Sequence, residues 1–178
     1  MKLISHILHI TIIGFNFVIG RIYRKFIRPR SARFIEVSRI LRALFFFWRF
    51  DFIGINCHLG RKVRFAGTVK LFLDDYSGIF NNVTIVGTGS LHLGKNSTIG
   101  DYSTLIIYVD MNIGNNVMIA ANSTIVDSDH IGNLKDGPLK FQGISVENIL
   151  IGDDVWIGSN CSILKGSEIG DHSIIGAN

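Results

Sequence analysis

A period of six residues, kept through most of the chain, limits the fold more than any other property of this sequence. Isoleucine, leucine or phenylalanine stands at 53, 59, 65, 73, 79, 85, 93, 99, 105, 113, 119 and 125, and again at 151, 157, 163, 169 and 175. Ordinary usage would put these apolar residues at roughly a quarter of such positions, so chance does not account for the pattern. The fifth residue of each hexad is Cys, Val, Ser or Gly from Cys57 to Ser173, with Asp129 the exception. The second is Gly at 54, 60, 94, 100, 114, 152, 158, 170 and 176. A unit this short cannot bury an apolar face alone, so it must stack on its neighbours. Six residues hold one flat strand and one corner, and three units close a triangular coil of about 18 residues. The first residue then fills the interior, the fifth is small because space narrows beside the corner, and glycine is expected to serve the tight turn.

The hexad register also locates an interruption. Positions 53, 73, 93 and 113 recur every 20 residues, so each coil carries two extra residues at one corner, visible in Leu71-Phe72-Leu73, Leu91-His92-Leu93 and Met111-Asn112-Ile113. The next start is expected at 133 but falls at 151. Residues 131–150, with Lys135, Asp136, Gly137 and Pro138, lack the pattern and read as a loop pushed out of the solenoid, although the offset also fits a degenerate coil. Long excursions from a repeat scaffold usually carry function. The composition agrees: 47% apolar and 18% charged residues support a packed core, and 19 Gly against 2 Pro imply many turns. Collagen, disordered tails and disulfide scaffolds are excluded on the same grounds.

Charge divides the chain in two. Before residue 51 there are ten Lys and Arg against Glu36 alone, whereas the remainder is net acidic. Residues 3–20 are mostly Ile, Leu, Phe and Val but are interrupted by Ser5, His6, His9, Thr11 and Asn16, which makes them a borderline span. A strongly basic flank stands where a signal-peptide cleavage site would be. Residues 32–50 mix Ile35, Leu41, Leu44 and Trp48 with Arg39, Arg42 and Arg49, the pattern of a basic amphipathic helix lying at a bilayer surface. The alternatives are packing of these helices on the rest of the protein, or a true span by the first segment. The expected organisation is a helical basic segment over 1–52 and a solenoid over 53–178. The overall charge of +4 gives no ground for a nucleic-acid partner.

The hexads IGDDVW, IGSNCS and IGDHSI make the repeat plain, and the stretch IGDDVWIGSNCSILKGSEIGDHSIIGAN is similar to the signature of the hexapeptide-repeat acetyltransferases. The resemblance covers residues 53–178 and extends to maltose, galactoside and capsular polysaccharide O-acetyltransferases. It implies an all-β solenoid, a left-handed parallel β-helix, here with N-terminal α-helices and one extruded loop. It also implies acetyl-CoA as acyl donor, a homotrimer, and active sites in the clefts between subunits.

Acetyl transfer to a hydroxyl needs a base for the proton, donors for the developing oxyanion and a groove for the carrier. A neutral imidazole suits the base near neutral pH. Of the six histidines, His130 ends the hexad Ile125-Val-Asp-Ser-Asp-His, precedes the extruded loop and follows Asp129, the carboxylate in a slot otherwise filled by small residues. In the family a histidine before such a loop, upstream of the V-W-I-G tryptophan, is the base, which assigns His130 here. Asp127 or Asp129 is expected to hold its tautomer, as acids do in other histidine sites. His58, His92 and His172 read as solvated surface residues.

By the same resemblance Trp156 faces outward and lines the acceptor site, with Asp110 and Asn112 one coil before His130 as further acceptor contacts. Family members lay the pantetheine arm of coenzyme A on backbone amides that match Gly158 and Ser159, then Gly176 and Ala177, with Lys165 as a phosphate contact. Cys57 and Cys161 fall on fifth positions and read as buried fillers in a reducing cytosol, with no disulfide and no metal. The histidines are too scattered for the zinc site of the β-helix carbonic anhydrases.

Together these readings give an acetyl-CoA-dependent O-acetyltransferase acting on a sugar hydroxyl of a polysaccharide or lipid-linked glycan. It is expected in the cytoplasm, peripheral at the inner face of the plasma membrane. An inactive membrane-associated scaffold of a glycan-synthesis complex and a sugar N-acetyltransferase are the alternatives. Relatives usually continue past I-G-A-N with a further coil, so a truncated end is also expected.

Overall fold

The computed structural model of the chain describes residues 41, 50–133 and 137–178. The helices expected before residue 50 and their membrane contact lie outside these residues, as do Lys135 and Asp136. From Phe52 the chain winds as a parallel solenoid. The first coil holds β1 (Phe52–Ile53), β2 (His58–Leu59) and β3 (Arg64–Gly67). The second holds β4 (Lys70–Leu73), β5 (Gly78–Ile79) and β6 (Thr84–Gly87), and the third β7 (Ser90–Leu93), β8 (Thr98–Ile99) and β9 (Thr104–Ile107). The fourth coil has β10 (Asp110–Ile113), β11 (Met118–Ile119) and β12 (Thr124–Val126), followed by an outlying ribbon of β13 (Ser128–His130) and β14 (Ile144–Val146). Then come β15 (Ile149–Ile151), β16 (Trp156–Ile157), β17 (Ser162–Leu164), β18 (Glu168–Ile169) and β19 (Ile174–Ile175).

Each of the first five coils contributes one strand to each of three parallel sheets, and the last contributes β18 and β19 to two of them. Sheet A is β1-β4-β7-β10-β15-β18, sheet B stacks β2 to β19, and sheet C stacks β3 to β17. Corner one joins sheet A to sheet B, corner two joins B to C, and corner three joins C to A. The register confirms the counting: Leu91 pairs both Leu71 and Met111, Met111 pairs Ile149 across the excursion, and Ile151 pairs Ile169. This is the expected parallel β-helix class.

The interior follows the period. Hexad-first residues such as Ile79, Ile99, Leu105, Ile125 and Ile157 are fully buried, and each such burial contributes about 2 kcal/mol. The two extra residues per coil lengthen the sheet A strand so that it buries a second side chain, as with Leu71 beside Leu73 and Leu91 beside Leu93.

The turn chemistry differs from expectation. At corners one and two the left-handed residue is the fourth of the hexad, most often Asn, as at 56, 82, 96, 116, 122, 160 and 178, with Lys62, Tyr76, Tyr102, Asp154 and His172 at the others, and not the second-position glycine. Asparagine tolerates this conformation better than other residues with a Cβ. The glycines are needed for close approach of successive coils. A Cβ on Gly94 would lie 2.5 Å from the Gly114 carbonyl carbon, and one on Gly158 would lie 2.6 Å from the Ala177 nitrogen. Third-position acids and amides tie the coils together from outside. Asp153 Oδ1 accepts the Asn115 N–H at 2.6 Å, and Asp171 Oδ1 accepts the Asp153 N–H at 2.7 Å. The Asn115 amide groups hold the Asp153 carboxyl below the usual carboxylate range.

Candidate active site

Corner three of the fourth coil is where the chain departs from its own rule. Val126 is the register partner of Ile106, so Asp127 occupies the place that buried Ile107 fills one coil earlier. A carboxylate enclosed there is costly unless its oxygens are bonded. Asp127 is fully buried and accepts the Tyr108 N–H on both oxygens, at 2.7 and 2.9 Å, and the Val109 N–H at 2.8 Å. Its own carbonyl accepts the Glu147 N–H at 2.9 Å, which joins the outgoing and returning strands of the excursion. Asn148 Oδ1 lies 3.4 Å from the Asp110 N–H, and Lys165 Nζ lies 3.9 Å from Glu147 on the coil below.

From this root the chain runs out as an antiparallel ribbon in which Ser128 pairs Val146, Asp129 pairs Ser145 and His130 pairs Ile144. The Ile131 N–H continues the ladder to the Gly143 carbonyl. A 3-10 turn at Leu139–Phe141 leads back, and the Gln142 side chain bonds both the N–H and the carbonyl of Asn133 at 2.7 Å. The described residues of the excursion therefore form a hairpin-like ribbon and not a degenerate coil. It begins at Ser128 and ends before Ile149, which is already buried in sheet A, so the expected bounds of 131–150 are corrected at both ends.

His130 lies on this ribbon and is exposed, with no hydrogen-bond partner for its imidazole among the described residues. Neither expected carboxylate holds its tautomer. Asp127 is committed to two backbone amides, and Asp129 is the strand neighbour of His130, so their side chains leave opposite faces of the ribbon. The placement of Asp129 in a narrow corner slot is likewise corrected. The solenoid ends its coil at Asp127, and Asp129 is exposed beyond it.

The other expected residues fall in separate places. Asp110, at the root, takes a hydrogen bond from the Ser90 hydroxyl. Asn112 lies two residues further along β10, half-buried on the outer face of sheet A. Trp156 does face outward, half-exposed on sheet B between its register partners Met118 and Ile174. Gly158 and Ser159 stack against Gly176 and Ala177 at corner two, where Gly158 N–H bonds the Ile175 carbonyl at 2.9 Å and Asn178 N–H bonds the Ser159 carbonyl at 3.0 Å. With only small side chains, that edge is bare enough for an extended chain to reach backbone. Lys165 does not belong to it, because it sits at corner three beside Glu147. Cys57 and Cys161 are buried and reduced, and burial pushes the Cys57 thiol up. Glu147, Asn148 and Tyr108 went unnoticed in the sequence. The interior spacing of Ile149 and Ile151, matching Met111 and Ile113, carried the signal that Glu147 stands at the root.

Comparison with known proteins extends the picture. The family described as bacterial transferase hexapeptide (six repeats) matches residues 148–178. A probable acetyltransferase of Mycobacterium tuberculosis is 36% identical over 50% of this chain and 30% of its own length. The putative lipopolysaccharide biosynthesis O-acetyl transferase WbbJ of Escherichia coli is 26% identical over 69% of this chain and 68% of its own. Among solved structures, the N-acyltransferase AntD of Bacillus cereus, in complex with dTDP and 3-hydroxybutyryl-CoA, shares the fold with a TM-score of 0.56. It is 19% identical and covers 76% of this chain and 74% of its own. The resemblance to the hexapeptide-repeat acetyltransferases thus holds in sequence pattern and in fold. These relatives are acetyl- and acyltransferases, and the chain spans about a third of the length of the mycobacterial one.

Proposed function

We propose that this chain is an acetyl-CoA-dependent acetyltransferase that modifies a sugar hydroxyl, with His130 as general base. The observation that carries the reading is an exposed imidazole on a short ribbon whose root is fixed by a buried carboxylate. His130 accepts the hydroxyl proton as the acceptor oxygen bonds to the acetyl carbon and the carbon–sulfur bond breaks. The proton then passes to the departing thiolate, which restores the neutral imidazole. Acetyl-CoA supplies the activated acyl group. The bare edge formed by Gly158, Ser159, Gly176 and Ala177 suits its pantetheine arm, with backbone N–H groups as donors.

One chain puts His130 at corner three, Trp156 on sheet B and the glycine edge at corner two. A homotrimer with a site at each subunit cleft would join the ribbon of one copy to the other two features of its neighbour. A polysaccharide or lipid-linked glycan is the acceptor class we favour, with residues 1–52 holding the protein at the cytoplasmic membrane surface. The test is acetyl transfer from labelled acetyl-CoA to glycan in membranes carrying the wild type or His130→Ala. Equal labelling by both would end the catalytic assignment and leave a scaffold. Base-labile label marks an O-acetyl ester, and base-stable label marks an amide.

A further inference from the structure

On the outer face of sheet A one row of side chains runs from coil to coil through register partners Phe52, Phe72, His92, Asn112 and Leu150. Phe72 and His92 stack with ring centroids 4.3 Å apart and planes 1° from parallel. Phe72 covers one face of the imidazole, so the other turns toward the coil of Asn112, where a short amide replaces a ring. Gly94 and Gly114 leave the adjoining corner bare, and Asp74 and Asn115 complete the lining of a cavity there. The row is thus broken by a notch with a flat aromatic wall, an amide floor and a carboxylate at its margin.

That combination fits a pyranose ring. The ring's C–H face packs on the imidazole, and its hydroxyls bond to the Asn112 amide and the Asp74 carboxylate. The position fits as well. Asp110 starts the same strand and contacts Asn148 at the loop root, so Asn112 lies about 7 Å along the strand from the base of the ribbon that carries His130, with the notch on its corner-one side. A second copy of this chain is a poorer occupant, since it would have to find partners for Asp74, His92 and Asn112 together.

We infer that the Phe72–His92 stack and Asn112 form a binding subsite for a sugar unit of the acceptor other than the one acetylated at His130. The inference rests on the acetyl-transfer reading above, and it makes the acceptor an oligosaccharide or polymer. The test uses the full chain, fluorescently labelled, on an array of bacterial surface mono- to hexasaccharides. Acetyl-CoA binding by calorimetry and mass by light scattering are measured in parallel. The wild type is expected to retain particular oligosaccharides. His92→Ala and Asn112→Ala weaken that retention about tenfold, while His92→Phe, which keeps a flat ring, stays near wild type. All variants keep the wild-type mass and acetyl-CoA affinity. Unchanged retention by His92→Ala overturns the subsite. So does a changed mass with unchanged retention, which would make the face a subunit interface, and so does a wild type that retains no glycan. Glycan retention without acetyl-CoA binding would instead remove acetyl transfer and leave the subsite supported.

Discussion

Corners one and two meet the same backbone demand as corner three of the fourth coil, by opposite means. At the regular corners the amides are satisfied from outside, by third-position Asn and Asp side chains that reach one coil across, as Asn81 to Asp101 and Asn115 to Asp153. At the loop root the donors of Tyr108 and Val109 are satisfied from inside, by Asp127 in an interior place. An outside ladder repeats without limit, because each coil presents the next with the same groups. An inside carboxylate ends the local repeat, since the chain carrying it has no further interior residue to offer and leaves the solenoid. The difference explains why the excursion arises where it does, and why the strand that carries His130 is fixed at its root.

The sharpest way to break this comparison is to separate chemistry from support. His130→Ala is expected to lower acetyl transfer by about a thousandfold, within the range for loss of a general base, with the thermal midpoint unmoved. Asp127→Ala should do the reverse in order of importance. It leaves two amides without an acceptor and costs about 3 kcal/mol of stability in chemical denaturation, with any loss of transfer following from a loosened root. Asp127→Asn, which keeps one acceptor oxygen, should lose about half as much. If His130→Ala destabilised the protein as much as Asp127→Ala, the ribbon would be part of the support and the division between the regions would fail.

At the regular corners the expected effects are smaller. Asn96 has a φ of 57° and donates to Asn116 Oδ1 at 3.2 Å. Asn96→Ala should cost about 1 kcal/mol in denaturant unfolding, whereas Asn96→Gly relieves the conformation and should cost less. Equal losses would mean that the amide ladder matters more than the left-handed backbone.

Much of this was legible before any coordinates. The interior residues, the three-sided coil, the extra pair at one corner and the excursion all follow from spacing, because a first-position Ile or Leu has only the interior to go to. Errors cluster where the count of six runs on after the physics has stopped. Asp129 holds a fifth position by arithmetic, yet Val126 is the last residue of its coil to pair in sheet C, so the count has no meaning beyond Asp127. Lys165 lies in the same signature stretch as Gly158, but one strand of travel carries it to another edge of the prism. Glycine at second positions signalled a corner without saying whether φ or clearance required it. Only the distance from Gly94 to the next coil separates the two.

The smallest expected effect concerns the last coil, where the outside ladder ends in a titratable pair. His172 Nδ1 lies 2.9 Å from Asp154 Oδ2 at corner one, and both residues are left-handed and exposed. The hydrogen bond and charge of Asp154 hold the imidazole above its ordinary value of 6.5. A raised folded value means that protonated His172 favours the folded state. Its contribution is full below the unfolded value and is lost as pH rises through the folded one. Water and salt screen so exposed a pair, so the effect is small and shrinks at high ionic strength. In thermal melts the wild type should exceed His172→Ala slightly at about pH 5.5, and the gap should close by about pH 8.5. Raised salt should shrink the gap at His172 and leave the loss in Asp127→Ala unchanged, because Asp127 is enclosed and bonded to backbone. A loss at Asp127 that shrank with salt in step with the gap at His172 would show the two regions to be held by the same exposed electrostatics, against the distinction between inside and outside support.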